Sequence, residues 1–169
     1  MPDGKKRCTR TTTDRNGCVV ITDVVHELLG HVPMLANQHY ADLMQCIGVA
    51  SIGASKAELW HLTKVYWYTV EFGAVKEGNA MKGFGAGVLS SSDEMQWFGK
   101  YGEDDGPSIL DLNPFEKLPK INYSGGVQNV YYALESFEKG LDLLRSYSDT
   151  VRIDHGIGYL DTAPHTFRE

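Results

Sequence analysis

Cysteine is scarce in this chain. The three residues Cys8, Cys18 and Cys46 are an odd set without Cys-x-x-Cys spacing, which excludes a disulfide framework and a cysteine-based zinc site. A reducing compartment, the cytoplasm, is therefore the default. Long apolar runs are missing too, and none approaches the roughly 20 residues of a membrane span, so no membrane role is expected. Positive charge is not in excess: 16 Lys and Arg against 22 Asp and Glu leave a net −6. That balance disfavours a phosphate-backbone binder and leaves nucleic acid out of the expected partners. Internal repeats and low-complexity segments are also lacking. What is there is 169 residues with 42% hydrophobic and 11% aromatic content, enough for one domain with a single core.

Residues 1–20 carry Lys5, Lys6, Arg7, Arg10 and Arg15 among several threonines, interrupted by Asp3 and Asp14. They read as a poorly ordered tail, with organelle targeting as the alternative. The domain spans 21–169. Thr22 or Asp23 caps a short helix through Leu29, which Gly30 and Pro33 bring to an end. Asn37 caps a second helix, where Tyr40, Leu43, Ile47 and Ala50 recur at helical spacing. Ser55 and Glu58 form a capping box opening a third helix that runs to about Phe72. Gly78-Asn79 reads as a turn into an extended piece from Met81 to Leu89, and Ser90 to Asp93 start a helix through Phe98. From Gly99 to Gly126 the composition predicts a long surface connection. A final helix is expected from Val127 to Tyr147, with an extended end from Val151 to Asp161.

The chemistry is concentrated in His26-Glu27-Leu28-Leu29-Gly30-His31. Two imidazoles so close together can offer nitrogen ligands to one divalent metal. The zinc-protease motif needs histidines four apart on one helix face. These are five apart, roughly 140° around an ideal α-helix, so a metalloprotease ranks low. Five apart becomes workable if the helix ends between them. Glu71 strengthens the case, because it lies between Val70 and Phe72 in the most hydrophobic part of the chain. A buried carboxylate without a partner is costly, so Glu71 either pairs with a distant Arg, snorkels to the surface, or joins His26 and His31 as a third ligand. Two imidazoles and a carboxylate on one side of a metal suit non-haem Fe(II) with open positions. Asp23 can orient His26 from behind or simply cap its helix.

Several longer stretches carry a resemblance. His26 to Ala36, Ile47 to Ala54, Tyr66-Trp67-Tyr68-Thr69-Val70-Glu71-Phe72-Gly73, Gly85-Ala86-Gly87-Val88-Leu89-Ser90-Ser91 and Tyr131 to Phe137 together resemble the pterin-dependent aromatic amino-acid hydroxylases. The likeness runs in order from about Asp23 to Tyr147. It implies a mainly α fold with small β strands, similar to the C-terminal half of such a catalytic domain. It also implies iron ligation by His26, His31 and Glu71, with Tyr66 beside the iron. Glu27 matches a residue approaching the pterin, and Trp67, Gly87 and Ser90 match positions near the amino-acid substrate.

The implied reaction is a monooxygenation joining Fe(2+), tetrahydrobiopterin, molecular oxygen and an aromatic amino acid, phenylalanine or tyrosine rather than tryptophan. The family's catalytic domain is longer on its N-terminal side, where it holds much of the pterin loop and an arginine for the substrate carboxylate. Residues 1–21 do not resemble that part. The alternative is accordingly a truncated, non-catalytic iron-binding remnant that associates with a full-length relative. Self-association into a homo-oligomer is left open, with no heptad-bearing helix evident after Tyr147.

Overall fold

The computed structural model describes residues 24–121 and 127–154, with backbone only at 152–154. The expected caps at Thr22 and Asp23, the tail and the chain beyond 154 lie outside the described residues. The fold is mainly helical around a small sheet. It opens with a π turn, Val25–His31, followed directly by a 3-10 helix, Val32–Ala36. The helix does not stop at Gly30, contrary to the reading of the sequence. The turn instead widens, and the N–H of Val32 donates to the Glu27 carbonyl five residues back. Gly30 serves a different purpose: a Cβ there would lie 2.8 Å from the Ala86 Cβ, so glycine allows a close crossing.

Asn37 then caps α1 (Gln38–Ser51), accepting from the Tyr40 N–H at 3.2 Å. Its buried residues are Tyr40, Leu43, Ile47 and Ala50, the stripe expected from spacing. The capping box at Ser55 and Glu58 opens α2 (Lys56–Tyr66), which passes without a break into a second π turn, Trp67–Glu71. Strands β1 (Gly73–Glu77) and β2 (Ala80–Gly83) form an antiparallel hairpin through Gly78, whose φ of +59° suits glycine. Of the extended piece predicted from Met81 to Leu89, only 81–83 is strand. Ala86–Leu89 is a short helical turn, α3, because its glycines serve close approach to the second π turn. Ser91 caps α4 (Ser92–Phe98).

The remaining differences concern the sheet. The predicted surface connection contains β3 (Ser108–Asp111), and the first part of the predicted last helix is β4 (Val130–Leu134). The four strands lie in the order β2-β1-β4-β3, with β4 parallel to both β1 and β3. Val130, Tyr132 and Leu134 face the main core, whereas Tyr131 and Ala133 face a second cluster with Ala74, Val88 and Phe98. Side chains buried on both faces make a short apolar run that helical spacing cannot distinguish from a helix. The last helix, α5, runs from Phe137 to Asp154, so the expected extended end is helical from Val151 to Asp154.

The main core lies where α1, α2 and α5 meet, with Leu43, Val65, Leu141 and Leu144 all buried. Each such side chain contributes about 1.5–3 kcal/mol on leaving water. No helix among the described residues is long and apolar enough to cross a membrane.

Gly73 is the tightest junction between the second π turn and the sheet, since a Cβ there would fall 2.3 Å from the Thr69 carbonyl and 2.4 Å from the Phe84 ring. Gly73→Ala should destabilise the fold by about 1–3 kcal/mol through overpacking, and Ser55→Ala by about 1 kcal/mol through loss of the cap. Urea denaturation measures both.

Candidate metal centre

Widening the first turn decides where its two histidines point. In an α-helix, residues five apart diverge, but in a π turn they are the hydrogen-bonded pair and lie along one face. His26 and His31 are consequently edge-to-face, with ring centroids 4.8 Å apart and their Nε2 atoms 3.2 Å apart. The second π turn delivers Glu71 to the same point. Its Oε2 lies 3.3 Å from His26 Nε2 and its Oε1 3.5 Å from His31 Nε2. All three side chains are mostly buried.

The three residues thus form a triangle whose pairwise donor separations are 3.2, 3.3 and 3.5 Å, the two histidines facing different oxygens of the Glu71 carboxylate. Ligand bonds of about 2.0–2.2 Å give donor separations of about 3.0 Å at right angles and about 3.5 Å at tetrahedral angles. The triangle spans that range. A proton shared between the rings would satisfy one edge, whereas a cation at the centre satisfies all three. Among the described residues, this is the cluster of His, Cys, Asp or Glu with the geometry to hold a metal ion.

His26 is oriented from behind. Its Nδ1 lies 2.9 Å from Ser90 Oγ, and that hydroxyl donates to the Ala86 carbonyl at 2.7 Å. With its own proton engaged, the serine oxygen accepts from Nδ1–H, which leaves a lone pair on Nε2 facing the triangle. No sequence signal pointed to this pairing across 64 residues. His31 Nδ1 is buried and has no hydrogen-bond partner among the described residues.

The other expected residues surround this centre unequally. Tyr66 lies beside Glu71, and burial together with the Glu71 charge pushes its phenol up to about 12. It remains a neutral donor through the physiological range. Gly87 is buried against the Glu71 backbone: a Cβ would meet the Phe72 ring at 2.5 Å and the Glu71 carbonyl at 2.9 Å. Trp67 stacks on Phe72, with centroids 4.7 Å apart, and its indole N–H donates to Gln128 Oε1 at 3.2 Å. Glu27 is exposed and stands outside the triangle, although its charge reaches Tyr66. The Ser90 hydroxyl is engaged with His26 and Ala86. Asp23 lies outside the described residues.

The family model for biopterin-dependent aromatic amino acid hydroxylases matches residues 19–166. The chain belongs to this family. A phenylalanine 4-monooxygenase of Pinus taeda, named as chloroplastic, is 50% identical over 129 residues, covering 76% of this chain and 35% of that protein. The tyrosine 3-monooxygenase of Mus musculus is 37% identical over 155 residues, or 86% of this chain and 30% of that one. Among solved structures, the phenylalanine hydroxylase of Chromobacterium violaceum with bound iron(III) and 7,8-dihydrobiopterin is 29% identical, with a TM-score of 0.63. That alignment covers 82% of this chain and 52% of the bacterial one. The chain therefore spans about a third of the curated relatives and about half of the solved one.

The bond from His26 to Ser90 has a measurable consequence. Ser90→Ala should weaken divalent-metal binding by about 10–100-fold with little change in the circular dichroism spectrum. Titration with Co(II), followed by its visible absorption, measures it.

Proposed function

We propose that this chain carries the iron site of a tetrahydrobiopterin-dependent monooxygenase that hydroxylates the ring of phenylalanine or tyrosine. The observation carrying this reading is the triangle of His26, His31 and Glu71, built on two π turns in a chain of the hydroxylase family. The donor set fits Fe(II): two neutral imidazoles and one carboxylate occupy one side of an ion and leave the other side open to reactants. Bound there, iron with the pterin supplies the electrons that activate molecular oxygen.

The protein's own work is positioning. Ser90 fixes the tautomer of His26, and the neutral Tyr66 phenol stands beside the Glu71 carboxylate. Phe72 and Trp67 form an aromatic stack beginning beside Glu71, a surface against which a substrate ring can lie. Gly87 lets that stack approach α3. Glu27, exposed near Tyr66, is the residue proposed to face the pterin. The resulting apolar wall excludes water from the reacting ring. The cytoplasm is the proposed compartment, with a chloroplast as the alternative raised by the name of the pine relative.

A second reading is favoured by one surface. Leu28, Leu29, Val32 and Leu35 expose between 46% and 63% of their area on the segment that bears both histidines. Such a contiguous apolar strip marks a surface for covering. On this reading the chain binds iron without turnover and docks against a full-length relative.

Incubation with Fe(II), tetrahydrobiopterin, oxygen and phenylalanine should yield tyrosine, and tyrosine as substrate should yield its ring-hydroxylated product. Glu71→Gln should lower iron affinity by at least about a hundredfold and abolish the product. Stoichiometric iron without product would instead support the second reading.

A further inference from the structure

Away from the triangle lies a buried polar node that the proposed chemistry does not use. Glu94, on the first turn of α4, and Gln128, just before β4, are each only 5% exposed. Glu94 accepts the Gln128 backbone N–H on Oε1 at 2.9 Å and the Tyr131 hydroxyl on Oε2. The Gln128 carbonyl accepts the Trp97 indole N–H at 2.9 Å. Backbone bonds on both sides thus hold Gln128 in place, and its side chain is turned to a different task. It accepts the Trp67 indole N–H at 3.2 Å.

We propose that Gln128 is a positioning residue for aromatic substrate recognition, fixing the plane of the Trp67 ring through its side-chain carbonyl. An indole offers a donor and no acceptor, so the amide oxygen must face it. A desolvated indole N–H without an acceptor is costly, so the bond selects one ring orientation. That orientation passes along the stack. Trp67 lies on Phe72 at a tilt of 37°, and the Phe72 ring abuts Gly87 within a distance that forbids a Cβ. The path runs from Glu94 through Gln128, Trp67 and Phe72 to Gly87, passing Glu71 on the way. Glu94 and Tyr131 stabilise the node, and Gln128 transmits its geometry to the wall.

This inference rests on the reading that Trp67 lines the ring site. The test uses the full chain loaded with Co(II) and phenylalanine as the probe. Gln128→Leu should weaken phenylalanine binding roughly tenfold while leaving Co(II) affinity within about twofold. In a Trp67→Phe background, which keeps an aromatic ring but removes the N–H, the same substitution should have no further effect. Equal losses in both backgrounds, unchanged phenylalanine binding, or a parallel loss of Co(II) affinity would each overturn the inference. Absence of phenylalanine binding in the unsubstituted, loaded protein would overturn the proposed function first and this inference with it. A second measurement requires no substitution: the Trp67 indole proton should exchange slowly with solvent by nuclear magnetic resonance, and rapid exchange would contradict the assigned bond.

Discussion

Three electron-rich groups, two imidazoles and a carboxylate, that approach one another to within 3.5 Å are the constraint around which this fold is arranged. Unless a cation or shared protons lie among them, lone pairs at that separation repel, and the mostly buried setting weakens the screening that water would supply. The chain accepts this arrangement by departing from α geometry twice. The turn over Val25–His31 brings residues five apart into line, and the turn over Trp67–Glu71 carries an acid out of an otherwise apolar helix end. Such wide turns are uncommon and concentrate at functional sites. Here both turns meet at one point.

The short helix α3 joins the two. It is crossed closely by Gly30 from the first turn, while Gly85 just before it lies against the backbone of Glu71 and Phe72 and its own Gly87 against the Phe72 ring and the Glu71 carbonyl. A side chain at any of these positions would separate the elements that carry His26, His31 and Glu71. At the end of α3, Ser90 closes the arrangement by binding His26. Packing and the orientation of the candidate donors therefore come from the same few residues. The sheet supplies the rigid backing, because β1 follows Glu71 after a single residue and is held between β2 and β4.

Local signals were legible where one interaction decides the outcome. The Asn37 cap, the Ser55–Glu58 capping box and the buried stripe of α1 all follow from side chains within a turn of each other. The metal candidates His26, His31 and Glu71 were legible because their chemistry is poorly suited to an apolar setting without a partner. The route by which the histidines converge was not. Spacing alone suggested a helix ended by Gly30, while the wider turn depends on the crossing with Ala86, 56 residues away in sequence. Strands β3 and β4 were hidden for a related reason. Val130 to Leu134 has apolar residues on both faces, and only pairing with β1 and β3 distinguishes it from helix. Gln128 and Glu94 gave no sign at all, since their bonds cross more than 30 residues.

The central claim is that two imidazoles and one carboxylate hold a single divalent ion. X-ray absorption at the iron edge of the anaerobic, Fe(II)-loaded chain tests it most directly. The account predicts one ion per chain, with nitrogen and oxygen neighbours at about 2.0–2.2 Å and outer scattering from two imidazole rings that diminishes in His26→Ala and in His31→Ala. Iron that binds with the same spectrum after either substitution, or that fails to bind the unsubstituted chain, would contradict it.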